Sequence, residues 1–177
     1  LVNSKGRNIF MKIFLVGPMG SGKSKIGKLL SSEINLDLID IDKEIEAKFE
    51  KTIVEIFDSE GEEGFRSKEI DFLEGINKIE GAIISTGGGI VEASVNRDIL
   101  IKEKHVIFLN ASVENQHQAT KDKTKRPLLN NENPKQVLES LYEHRLDLYK
   151  SVSNLELNTD LLSNEDIVKE IISFLNV

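Results

Sequence analysis

Eight consecutive residues, Gly17-Pro18-Met19-Gly20-Ser21-Gly22-Lys23-Ser24, have the composition and spacing of a phosphate grip. Glycines let successive backbone N–H groups turn inward around anionic oxygens, a helix that starts there adds partial positive charge, and a lysine reaches the outer phosphates. Gly20, Ser21, Gly22, Lys23, Ser24 and the adjacent Lys25 are the residues expected on a nucleotide, with the Ser24 hydroxyl placed to ligate Mg2+. Two glycines, a lysine and a Ser/Thr at these fixed positions arise by chance in roughly 0.6% of chains of this length. An apolar strand pattern before the motif and a helical one after it make coincidence rarer still.

Many phosphate-loop proteins hold magnesium with an aspartate at the end of a second apolar strand. Here the apolar run 82–86 ends instead in Gly87-Gly88-Gly89. Asp40 and Asp42, after the run 36–39, are the replacement candidates, and a strand period of two puts both on one side with Ile39 and Ile41 on the other. The two carboxylates can divide the work, one near the metal and one receiving a substrate hydroxyl. The glycine triplet either turns the chain or lets a substrate approach backbone N–H groups.

Three arginines complete the set. Arg145 shares a helical stripe with Leu138, Leu141 and Leu148, and no acid stands three or four residues away. A buried guanidinium needs an anion or a carboxylate from elsewhere in the chain. Arg66 has Glu62, Glu63 and Glu69 within helical reach, which a surface network would explain. Arg126 ends the polar stretch 121–125, which reads as a solvated loop or as a lid that closes on a transferring phosphate and excludes water. His105, His117 and His144 have no metal-ligand spacing.

The elements that position these residues follow from hydrophobic periodicity. Strands are expected at 12–16, 36–39, 82–86, 105–109 and 154–158, with amphipathic segments between them. Thr52 with Glu55 forms a capping box that opens a short helix, Pro134 fits the first turn of another, and Ser163 with Asp166 opens the last. Strands alternating with helices imply a parallel sheet covered on both faces, with ligands beyond the carboxyl ends of its strands. The 177 residues, 39% hydrophobic and 30% charged, suit a single globular domain. A net charge of −7 argues against nucleic acid or an anionic membrane as partner, and no apolar run approaches the ~20 residues of a membrane span. The absence of cysteine excludes disulfides and thiolate zinc, and fits a cytoplasmic protein. Residues 1–10 read as an N-terminal extension and about 112–132 as a helix and lid region.

Taken in order, these motifs resemble shikimate kinase, a member of the nucleoside-monophosphate-kinase-like group. The resemblance rests on residues 17–24, on Leu38-Ile39-Asp40-Ile41-Asp42 with Ile45-Glu46, and on the segment from Thr52 through Phe57 to Phe65-Arg66 and Glu69. Ser85-Thr86-Gly87-Gly88-Gly89, Arg126-Pro127-Leu128-Leu129, and Arg145 followed by Tyr149 extend it. It implies a three-layer α/β/α fold with a five-stranded parallel sheet in order 2-3-1-4-5 and a mobile lid. It also implies transfer of the ATP γ-phosphate to the 3-hydroxyl of shikimate, in the synthesis of aromatic amino acids, by a cytoplasmic monomer. Lys23, Asp42 and Arg126 would be catalytic, and Asp42, Arg66, the triplet Gly87, Gly88 and Gly89, and Arg145 would hold shikimate. Asp40 would act on Mg2+ through water, and Arg126 would also reach ATP. The chain departs from the family pattern at Lys25, where a second Ser/Thr is usual, and at Ala119, where an arginine commonly stacks on adenine. A kinase of another hydroxy acid such as gluconate, or a nucleotide-binding module without activity, are the alternatives.

Overall fold

The computed structural model describes residues 11–121, 127–129 and 133–177. Five short strands form one parallel sheet: β1 (Lys12–Val16), β2 (Asp37–Asp40), β3 (Ala82–Ser85), β4 (Val106–Asn110) and β5 (Leu155–Asn158), in the spatial order β2-β3-β1-β4-β5. Fold class and strand order match the expectation, and the strand bounds shift by a residue or two. Helices α1 (Lys23–Ile34), α2 (Ile41–Phe49), α3 (Ile53–Glu74), α4 (Ser94–Leu100), α5 (Val113–Thr120), α6 (Pro134–Val152) and α7 (Asn164–Leu175) supply the crossovers and cover the faces.

Strand alternation divides the core. In β1, Ile13 and Leu15 join Ile26 and Leu30 of α1 and Ile167 and Ile171 of α7 on one face. Phe14 and Val16 join Ile41, Ile45, Ile56, Phe65 and Tyr149 on the other. Both sets are buried, which is why the central strands read as continuous apolar runs rather than as alternating ones. Among the described residues, no helix is long and apolar enough to cross a membrane.

One local expectation holds and another needs correction. Thr52 and Glu55 form a reciprocal capping box, and the helix they open is short: α3 is two helical stretches joined at Gly61, whose backbone (φ 72°, ψ −176°) is not helical. Asp40 and Asp42 do not share a strand face, because the strand ends at Asp40, which is the N-cap of α2. Asp42 therefore stands in the first turn of a helix, where the amide dipoles favour a carboxylate.

Candidate active site

Three adjacent strands bring the functional segments to one sheet edge. β3 lies between β2 and β1, and Ser85 is paired with Asp40 on one side and Leu15 on the other. The segments that continue from these strand ends, the phosphate loop, the Asp40–Asp42 corner and the glycine triplet, therefore emerge side by side. They line a cleft of about 550 Å3 whose walls include Lys23, Ser24, Asp40, Asp42, Gly88 and Ala119.

The phosphate loop has the backbone its sequence requires. Gly22 is the N-cap of α1 at φ 89°, a left-handed conformation that glycine adopts without penalty. Gly20 also has positive φ and packs against Gln116 and Ala119 of α5, while Ser21 is buried. Lys23 is buried, and its ammonium donates to the carbonyl oxygens of Gly17 (2.7 Å) and Pro18 (2.8 Å). Ser24 Oγ donates to Asp40 Oδ2 at 3.0 Å, so the hydroxyl and carboxylate expected near a metal are neighbours. Lys25 is exposed and lines the cleft, as does Lys28.

Beyond the nucleotide end, two guanidinium groups meet the glycine triplet. Arg145 is 3% exposed, its NH1 donates to the carbonyl of Gly88 (3.4 Å), and Tyr149 Oη donates to the same oxygen. Tyr149 is fully buried and stacks on Phe108 of β4 with ring centroids 5.0 Å apart, which fixes this stretch of α6 against the sheet. Burial pushes the Tyr149 phenol up, so it stays a hydrogen-bond donor. Arg66 lies against Gly89, in the space that a side chain at that position would fill. Its NH1 donates to Glu69 Oε2 (2.6 Å) and its NH2 to Glu62 Oε1 (2.7 Å). Gly87 is flanked by carboxylates: a Cβ there would lie 2.6 Å from Glu69 Oε1 and 3.0 Å from Asp42 Oδ1. Of the sequence-predicted residues, Gly20, Gly22, Lys23, Ser24, Lys25, Asp40, Asp42, Gly87 and Gly88 line one cleft, while Arg66 meets the glycine triplet at Gly89 and Arg145 meets it at Gly88. Arg126 lies outside the described residues.

A family model described as shikimate kinase matches residues 19–176. The chain belongs to the shikimate kinase family. Shikimate kinase of Haemophilus influenzae is 43% identical over 165 residues, covering 93% of this chain and 92% of its own. The solved structure of shikimate kinase from Acinetobacter baumannii in complex with shikimate superposes with a TM-score of 0.91 at 36% identity, covering 98% of this chain and 97% of that one. Shikimate kinase from Bacteroides thetaiotaomicron gives a TM-score of 0.84 at 30% identity over 94% and 99% of the two chains.

In this member of the shikimate kinase family, two acids at the rim carry more weight than sequence reasoning gave them. Glu69 was visible as a helical neighbour of Arg66, but its complete burial was not. The reading of Arg66 as part of a surface network holds only for Glu62, which is exposed, whereas Glu69 binds the guanidinium inside the protein. Burial pushes the Glu69 carboxyl up to about 7; Arg66 opposes the rise and the Asp42 charge adds to it. Glu92 was not singled out at all. Its Oε1 accepts from Arg145 Nε at 2.6 Å, across 53 residues of sequence, so no local spacing could reveal it.

The Glu69 shift has a stability consequence with a defined sign. Its folded-state value lies above the unfolded 4.5, so the folded protein holds this proton more tightly. The contribution is fully present below pH 4.5, is lost as pH rises towards 7, and changes little beyond. A shift of this size corresponds to about 3 kcal/mol. Urea unfolding at pH 5 and pH 8 should therefore show wild-type stability falling with pH relative to Glu69→Gln. Parallel pH dependences in the two proteins would contradict the buried, proton-holding carboxyl.

Proposed function

We propose that the protein transfers the γ-phosphate of ATP to the 3-hydroxyl of shikimate, giving shikimate 3-phosphate and ADP. The observation that carries this reading is a cleft bordered by a phosphate loop and by a glycine triplet that two arginines contact. A triphosphate and a small carboxylic acid need those two grips beside one another. Membership of the shikimate kinase family, and the resemblance to a relative solved with shikimate, support the choice of acid.

The amide groups of residues 20–24 and the Lys23 ammonium would hold the β- and γ-phosphates, with Lys25 at the same end. Hard oxygen ligands suit Mg2+, and the contact between Ser24 Oγ and Asp40 Oδ2 provides two of them at the mouth of the loop. Ser24 would ligate the ion directly and Asp40 through water. When bound, Mg2+ neutralises charge across the β- and γ-phosphate oxygens. Arg66 and Arg145, on either side of the triplet, would grip the shikimate carboxylate, while Gly87, Gly88 and Gly89 leave room for its ring.

Asp42 would orient the 3-hydroxyl and take its proton as the oxygen bonds to the γ-phosphorus and the bond to the β-phosphate oxygen breaks. ADP then leaves with the electron pair of that bond. Such transfer is mostly positioning and charge stabilisation, which these side chains supply without a covalent intermediate. Arg126 would add positive charge on the transferring phosphate from the lid.

The test is release of ADP from Mg-ATP with and without shikimate, with the phosphorylated product identified by mass. Shikimate should stimulate release many-fold. Stimulation by gluconate or another hydroxy acid but not by shikimate would move the assignment to that substrate. Tight ATP binding with no stimulated turnover would leave a nucleotide-binding module.

A further inference from the structure

Arg145 is tied to its surroundings by a bond that the proposed chemistry does not use. Of its five N–H donors, Nε is given to Glu92 Oε1 at 2.6 Å and one on NH1 to Gly88 O. The other three stand at the end of the fork, where the Tyr149 hydroxyl is a further hydrogen-bonding neighbour. The second oxygen of Glu92 meets His144 Nε2 at 3.0 Å, so neither oxygen of this carboxylate is left to swing. Burial would raise the Glu92 carboxyl, but the bond and charge of Arg145 and the contact with His144 together outweigh it and hold the group below its usual value, as an anion.

The backbone that carries Glu92 is itself fixed. Its N–H donates to Gly89 O (2.9 Å), and Arg97 NH1 from α4 donates to the carbonyls of Val91 (2.6 Å) and Glu92 (2.8 Å). Asn96 Nδ2, also on α4, holds Ile90 O at 3.0 Å. One braced loop thus carries both the glycines that face the cleft and the carboxylate that grips the inner edge of the guanidinium.

We propose that Glu92 is a positioning residue: by holding Arg145 Nε it fixes the plane of the guanidinium and leaves the terminal nitrogens to receive a substrate carboxylate as a pair of bonds. A planar fork binds a carboxylate well only when its plane is set in advance, and a free arginine must be ordered at the moment of binding. The opposite expectation is purely electrostatic. A second carboxylate beside Arg145 would repel the incoming anion, and its removal would then tighten binding.

The proposal rests on the shikimate kinase reading, and two variants assayed beside the wild type separate the two. Glu92→Ala should raise the shikimate KM roughly 3- to 10-fold, the scale of ordering one long side chain. Its kcat should stay within about twofold and its KM for ATP should not change. Glu92→Gln keeps an acceptor for Nε and should return the shikimate KM to within about twofold of wild type. The bracing bonds of the loop accept or donate through backbone atoms of residues 89–92 and use no side-chain atom of Glu92, so both variants should melt near the wild-type temperature. An unchanged or lowered shikimate KM in Glu92→Ala, a loss confined to kcat, or a glutamine variant as poor as the alanine one would each overturn the positioning role. A wild type without shikimate-dependent turnover would instead overturn the functional reading.

Discussion

Replacing Arg145 by leucine is expected to weaken shikimate binding by about 2–5 kcal/mol, the range for truncating one partner of a desolvated charge pair, with little change in ATP affinity. The size of the loss follows from the site. Arg145 is 3% exposed, so the leucine finds an apolar stripe already formed by Leu138 and Tyr149. Water cannot replace the guanidinium in front of the substrate carboxylate. The proposed ATP end should be spared because the loop at residues 17–24 is held by its own backbone and by Lys23, whose ammonium donates to Gly17 O and Pro18 O. Glu92 loses its partner but is about a quarter exposed and keeps His144, so the variant should fold. Arg145→Lys is the sharper control. It preserves charge but offers a point donor in place of a fork, and should recover only part of the affinity. Titration calorimetry with shikimate and, separately, with an ATP analogue measures both quantities. Unaltered shikimate affinity in Arg145→Leu would remove the arginine clamp.

The order of the sheet and the identity of most rim residues were legible because they are local. Strand runs such as Ile13 to Val16 are continuous in sequence, and the phosphate loop is eight adjacent residues whose glycines announce their own backbone. The burial of Arg145 was legible for a similar reason: a charged residue in the register of Leu138 and Leu148, with no acid one turn away, must be answered from elsewhere. What answered it was not legible. Glu92 reaches Arg145 only because the triplet loop folds over α6, a tertiary event with no period.

The Asp40–Asp42 pair was found for a partly mistaken reason. Alternation was assumed to continue past Ile39, whereas Ile41 turns inward as the first buried residue of α2 and the chain changes from strand to helix between the two acids. Proximity survived the error because a strand end and the helix that follows it occupy the same edge. Glu69 shows the converse limit. Its spacing from Arg66 is a pattern common on helix surfaces, and only the packing of α3 against the triplet decides that this pair is interior.

Asp42→Asn should depress turnover by roughly 100- to 10,000-fold, the contribution of a positioned acid–base group, while ATP affinity changes by much less. The exchange is nearly isosteric, so Oδ1 keeps its place beside Gly87 and the cleft keeps its shape. What is lost is the negative charge in the first turn of α2, the proposed acceptor of the hydroxyl proton. Charge removal also acts on Glu69, because the Asp42 carboxylate is one of the causes of that group's rise; without it, the Glu69 carboxyl should titrate at lower pH. The two effects separate by what is measured. Steady-state kcat with saturating ATP and shikimate reads the loss at Asp42, and the pH dependence of urea unfolding reads the change at Glu69. A variant with near-normal kcat would remove Asp42 from proton transfer and leave it only the orientation of the hydroxyl.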